Sequence, residues 1–147
     1  MVLKAAQGAM PAFVDTGLNV AHVDDIATGH LLACERGEVG ERYILGGENL
    51  TLAEILAEIA RLIGRKPPKV KLPHSVLWPV AFMAESWARG RGQRTEPFLT
   101  LDALRMSKKR MFFSHGKAAR HLGYRPRPAV AGFSDALDWF KERGYLS

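Results

Sequence analysis

Residues 17–47 read GLNVAHVDDIATGHLLACERGEVGERYILGG, and this stretch decides which fold to expect. Positions 18–23 are an apolar, Val-rich run, preceded by Thr16-Gly17 and followed by two acids, the pattern of a strand. Asp24 falls where a helix needs an N-cap, since a carboxylate there accepts hydrogen bonds from first-turn amides that lack intrahelical partners. Asp25 suits the positive end of the helix dipole. Ile26, Ala27, His30, Leu31, Ala33 and Cys34 make an apolar stripe at helical spacing, and Gly37 is placed to stop the helix. Residues 42–45 return as a short strand closed by Gly46-Gly47. A nearly all-apolar strand, a capped helix and a second strand predict an α/β fold with a parallel sheet covered on both faces.

Downstream, Thr51-Leu52-Ala53-Glu54 spells a capping box, with Leu50 and Ile55 at the accompanying staple positions. Leu52, Ile55, Leu56, Ile59, Leu62 and Ile63 share one helical face, which Gly64 ends. A basic, Pro-containing connector over 65–69 leads to a short strand over 70–72. The pattern then predicts a helix over 75–89, weakened at its start by Pro79, and a basic loop over 90–97. Thr100 caps a short helix to about Met106, and Ser114 caps one through Leu122 that Gly123 stops. A last helix over 130–143 presents Phe133, Leu137 and Phe140 on one face. Upstream, residues 4–10 read as the tail of a helix ending at Gly8, and residues 11–14 as a short extended piece. So abrupt an opening is expected of a chain that begins partway through something larger.

The 147 residues suffice for a single domain with a real core, and 47% hydrophobic with 24% charged residues is ordinary globular composition. No apolar run approaches the ~18 residues that span a bilayer. The single cysteine excludes an intrachain disulfide and, on its apolar stripe, reads as a buried, inert thiol of a cytoplasmic protein. Net charge is +6 but uneven: residues 1–60 carry three basic and nine acidic side chains, residues 61–127 sixteen and three. A basic middle of that size marks an anionic partner, whether a phosphorylated small molecule, nucleic acid or an anionic membrane face.

No phosphate-binding glycine loop, dinucleotide fingerprint or serine elbow is present. His22, Asp24, Asp25 and His30 lack the spacing of a metal site; the acids read as helix caps and the histidines as core or cleft residues. The run from Arg105 to Arg110, RMSKKR, reads either as a solvated basic face or as a clamp for phosphate or diphosphate. Trp78, Phe82 and Trp87 have helical spacing and read as core rather than as a membrane-facing stripe.

Residues 17–66, with the His-Val-Asp-Asp element, and the ending FFSHGKAARHLGYRPRP…ALDWFKERGYL, with Leu-Gly-Tyr and Pro in order, resemble the C-terminal half of extended short-chain dehydrogenase/reductases. The likeness is to the NAD-dependent sugar epimerase/dehydratase branch, especially hopanoid-associated sugar epimerases and dihydroflavonol-reductase-like proteins, and it covers nearly the whole chain. It implies a mostly helical α/β portion of a Rossmann-type reductase, with residues 1–147 as one substrate-binding domain. In that family a separate N-terminal Rossmann domain holds NAD or NADP and a catalytic Tyr-x-x-x-Lys. None of Tyr43, Tyr124 and Tyr145 has Lys four residues on, so this chain alone is expected to bind no coenzyme and to transfer no hydride.

The resemblance further implies three sources of substrate contacts. One is the strand before His-Val, where UDP-sugar epimerases resemble Arg-Asp-x-x-His-Val; here Leu18 and Asn19 stand at those two positions, which suits a less charged substrate, with His22 at the strand's inner end. Another is the basic segment, from which Arg105, Lys108 or Arg110 could meet a diphosphate. The third is the loop over 7–13, which closes over the substrate in the family. Expected partners are a phosphorylated or nucleotide-linked small molecule, the missing Rossmann domain and, to cover the face left bare without it, a second copy in a homo-oligomer. The rival reading is a free-standing basic module for nucleic acid or an anionic membrane, against which stands the lack of aromatic residues interleaved with the charge.

Overall fold

A computed structural model describes residues 1–73, 75 and 105–146. The body of the helix expected over 75–89, its Trp78, Phe82 and Trp87, the basic loop over 90–97 and the Thr100 cap lie outside them. In chain order the elements are α1 (Val2–Ala6), β1 (Ala12–Val14), β2 (Gly17–Val20), α2 (Val23–Arg36), β3 (Glu48–Thr51), α3 (Leu52–Leu62), β4 (Val70–Leu72), α4 (Gly116–Leu122) and α5 (Ala129–Glu142).

Helix α3 is the hub, and its sequence explains why. The Thr51 hydroxyl accepts from the Glu54 amide at 3.3 Å, and Glu54 Oε2 accepts from the Thr51 amide at 2.7 Å. Two first-turn amides are thus satisfied reciprocally, as the capping-box pattern predicts. Ile55 and Ile59 are fully buried, packed with Ala6 of α1 and Ala129, Phe133 and Leu137 of α5, while Leu50 rests on the same cluster. Each isoleucine removed from water contributes about 1.5–3 kcal/mol. A second cluster joins α4 to α2: Ala118, Leu122 and Tyr124 pack against Leu32, Ala33, Tyr43 and Leu45. Arg36 donates to the Leu122 carbonyl oxygen at 3.1 Å, and Gly123, in the left-handed region at φ 76°, ends α4 where the pattern places its stop. Ser114 accepts from the Gly116 amide at 3.2 Å from one residue before the cap position, which is His115.

The sheet departs from expectation. β2 pairs with β3 antiparallel, Leu18 opposite Leu50 and Asn19 opposite Asn49, and β1 pairs in parallel with β4. The parallel sheet expected around residues 17–47 is therefore absent, and residues 42–45 form no strand. The returning strand comes later, at β3, because its apolar positions Leu50 and Leu52 close on the α3 core.

Helix α2 departs as well. Its N-cap is His22, whose Nδ1 accepts from the Asp24 amide at 3.2 Å, and Asp24 sits inside the first turn. The inward face is Asp25, Gly29 and Leu32; the predicted stripe turns outward, with Leu31 66% exposed and Ala27, His30 and Cys34 exposed too. Cys34 is therefore not the buried thiol its position suggested. The cause is tertiary: Gly29 lets Leu45 and Tyr124 approach so closely that a Cβ there would lie 2.7 Å from Leu45 and 3.1 Å from Tyr124.

Candidate functional site

Two places gather polar side chains. The first forms where residues 111–113 come back onto the β2–β3 hairpin. The Met111 amide donates to the Gly17 carbonyl oxygen at 2.9 Å, and Met111 bridges Leu18 in parallel, so this strip extends the pair by one residue. The register sets Asn19 opposite Asn49. Asn19 Oδ1 accepts from the Gly47 amide at 2.9 Å and its Nδ2 donates to Asn49 Oδ1 at 2.7 Å. Asn49 in turn accepts from the Phe113 amide and donates to the Phe113 carbonyl oxygen, both at 3.1 Å. The ring of Phe112 covers Gly17, where a Cβ would lie 2.4 Å from it.

This strip brings chemistry to the surface. Met106, Phe112 and Phe113 are 61%, 40% and 49% exposed, beside the exposed Arg105, Lys108, Lys109 and Arg110. Arg110 meets Asp15 Oδ1 at 3.4 Å, while Lys71 of β4 donates to Asp15 Oδ2 at 2.9 Å. The Lys71 hydrogen bond, with the Lys71 and Arg110 charges, holds the Asp15 carboxyl below the usual carboxylate range. Leu18, at the position of the family's arginine, rests against the apolar core and can hold no phosphate.

The second place lies at the β2–α2 junction. His22 is 6% exposed. Because Nδ1 accepts from the Asp24 amide, the ring proton belongs on Nε2, which donates to Asp135 Oδ2 of α5 at 2.8 Å. Arg127, in the loop before α5, grips Asp25 twice: its Nε donates to Oδ1 and its backbone amide to Oδ2, each at 2.8 Å, while its NH2 lies 3.2 Å from His22 Nδ1. The Arg127 side-chain hydrogen bond is the main cause that lowers the Asp25 pKa, reinforced by its amide and charge against the opposing effect of burial. A cleft of about 490 Å³ opens here, lined among others by Val20, His22, Asp24, Phe133 and Asp135.

Of the five residues singled out from sequence, Asn19 and Arg110 border the strip, with Arg105 and Lys108 leading into it, whereas His22 faces α5. Residues of the 7–13 loop line a separate cleft of about 150 Å³ with Arg65 and Lys66. Sequence reasoning missed Asn49, Arg127 and Asp135. Asn49 carries no local signal, and Arg127 and Asp135 are 102 and 113 positions from their partners. Phe112-Phe113 after the basic run was a visible signal.

No protein-family model matches the chain. It is 35% identical over 150 residues to a putative dihydroflavonol 4-reductase of Synechocystis, across 99% of this chain and 43% of the relative. The crystal structure of gox2253 superposes with a TM-score of 0.79 at 52% identity, covering 100% of this chain and 44% of that one. PA4631, a nucleoside-diphosphate-sugar epimerase from Pseudomonas aeruginosa, gives 0.76 at 28% identity over 99% of this chain and 42% of its own. The fold alone is shared with the Bordetella bronchiseptica enzyme WbmF, solved in complex with NAD+ and UDP, at 20% identity and a TM-score of 0.60 over 97% of this chain and 35% of that one. The chain thus spans less than half the length of the proteins it matches. These likenesses run nearly end to end and extend to a Bos taurus protein named for the short-chain dehydrogenase/reductases, so the chain belongs to the extended branch of that family, among its epimerase- and reductase-like members.

Proposed function

We propose that residues 1–147 are the substrate-holding part of a two-part NAD- or NADP-dependent epimerase, dehydratase or reductase, whose coenzyme-binding part lies in the portion of the relatives that this chain does not match. The observation that carries the reading is the strip over 105–113: cations and exposed aromatic rings side by side, pinned to β2 and β3 by Asn49. Such a surface suits a ligand with a flat or apolar body and an anionic group, such as a nucleotide sugar. Rings stack on the body, while Arg105, Lys108 and Lys109 meet the phosphates. Arg110 is already engaged by Asp15, which leaves it a positioning role. When bound by the other part, the nicotinamide supplies hydride chemistry; the residues here bind, orient and shield the reacting carbon.

Titration of the chain with UDP-glucose, followed by backbone amide NMR, tests the reading. Shifts confined to residues 105–113, Asn19 and Asn49 are expected, and heparin should bind only weakly. Absence of shifts there, or tight heparin binding that falls steeply with salt, contradicts it.

A further inference from the structure

Residues 42–45 have a strand's sequence and no strand's partners. Tyr43 and Leu45 turn inward onto the Ala118–Leu122–Tyr124 cluster, while Arg42 and Ile44 face out, Ile44 at 51% exposure. That alternation is the period of a β-strand with one face covered. Yet among the described residues no backbone hydrogen bond reaches Tyr43, Ile44 or Leu45. An apolar segment that leaves its amides and carbonyls open is a template for pairing. Beside it, the outer stripe of α2 is bare: Val23 is 73% and Leu31 66% exposed, with Ala27 and Cys34 exposed at the same helical spacing.

We propose that residues 42–45 are an acceptor edge for strand addition, and that the incoming strand comes from the part of the relatives beyond the matched stretch. The proposal rests on the two-part reading above. Two observations select this occupant over a second copy. More than half of each relative's length lies outside the match, so a large body of chain is there to supply it. Strand, helix and strand over 17–47 are also patterned for a parallel sheet, whose neighbouring strands must arrive by a long crossover, and β2 found only the antiparallel β3 and the Met111 bridge. One such strand gives residues 43–45 their ladder, and the body it belongs to covers Ile44.

The test is hydrogen exchange on this chain alone and on an in-frame chimera in which it replaces the matching part of gox2253. Alternate amides over 43–45 should exchange at least tenfold more slowly in the chimera, and at a concentration-independent, unprotected rate in the chain alone. Ile44→Asp should leave the melting of the chain alone unchanged and lower that of the chimera. If the joined form does not fold, the two parts co-expressed as separate chains take its place. Equal exchange in both forms overturns the proposal, as does a failure of the co-expressed parts to associate. Protection that grows with the concentration of the chain alone also overturns it, by making a second copy the occupant. A protected edge in an assembly that binds no nicotinamide nucleotide would leave the strand addition standing and remove the functional reading instead.

Discussion

Asn49 treats Phe113 as a neighbouring strand would: its side-chain amide donates to the Phe113 carbonyl oxygen and its Oδ1 accepts from the Phe113 amide, both at 3.1 Å. One side chain thereby supplies the two hydrogen bonds of a ladder step and holds the aromatic strip in place. Asn49→Ala removes both, together with the 2.7 Å contact from Asn19. A loss of about 1–2 kcal/mol is expected, at roughly 1 kcal/mol per bond less the solvent exposure of the site. Phe113 amide exchange should accelerate with it. An unchanged Phe113 amide would show that the strip is held otherwise.

Gly47 runs against the backbone of β2, where a Cβ would lie 2.1 Å from the Val20 carbonyl oxygen and 2.8 Å from Ala21 Cα. Backbone cannot swing aside as a side chain can. Gly47→Ala should cost about 2–3 kcal/mol in urea denaturation, the range for overpacking. A midpoint equal to wild type contradicts the close approach.

Asp25 and Arg127 make stability depend on pH in a definite direction. A carboxyl whose folded pKa is lowered contributes fully above its unfolded value, about 3.9, and loses that contribution as pH falls through the folded one. The Arg127 hydrogen bond lowers the Asp25 pKa in this way. Asp25→Asn should therefore weaken the fold at pH 7, and the gap to wild type should narrow as pH drops below about 4. A gap that stays constant from pH 7 to pH 3 would mean the charge is not what joins α2 to the loop before α5.

Tyr124 is 2% exposed and its hydroxyl has no hydrogen-bond partner in the protein. Burial, and then the nearby Asp25 charge, push its phenol pKa up. An unpaired buried hydroxyl costs about 1–3 kcal/mol. Tyr124→Phe keeps the ring under Gly29 and should leave stability unchanged or raise it by up to about 1 kcal/mol. A marked loss in thermal denaturation contradicts this.

What was legible in the sequence was what is decided locally. The Thr51–Glu54 box lies within one helical turn, and it and the Ile55–Ile59 face stand as read. The partner of β2 was not legible, because register depends on which strand arrives, and residues 42–45 offer the same local pattern as β3. The inward face of α2 was misread for a related reason: Asp25 looks like a surface acid until Arg127, 102 positions away, pairs with it. The basic run was visible as candidate chemistry, but its placement beside Phe112 and Phe113 came from Asn49 and the Met111 bridge, which carry no signature.

The account stands on the separation of coenzyme from substrate, and equilibrium binding of NADH, read by its fluorescence, tests that most directly. The 147-residue chain alone should show no saturable binding, and the gox2253 chimera should bind with a dissociation constant in the micromolar range. Saturable binding of NADH by the chain alone would contradict it.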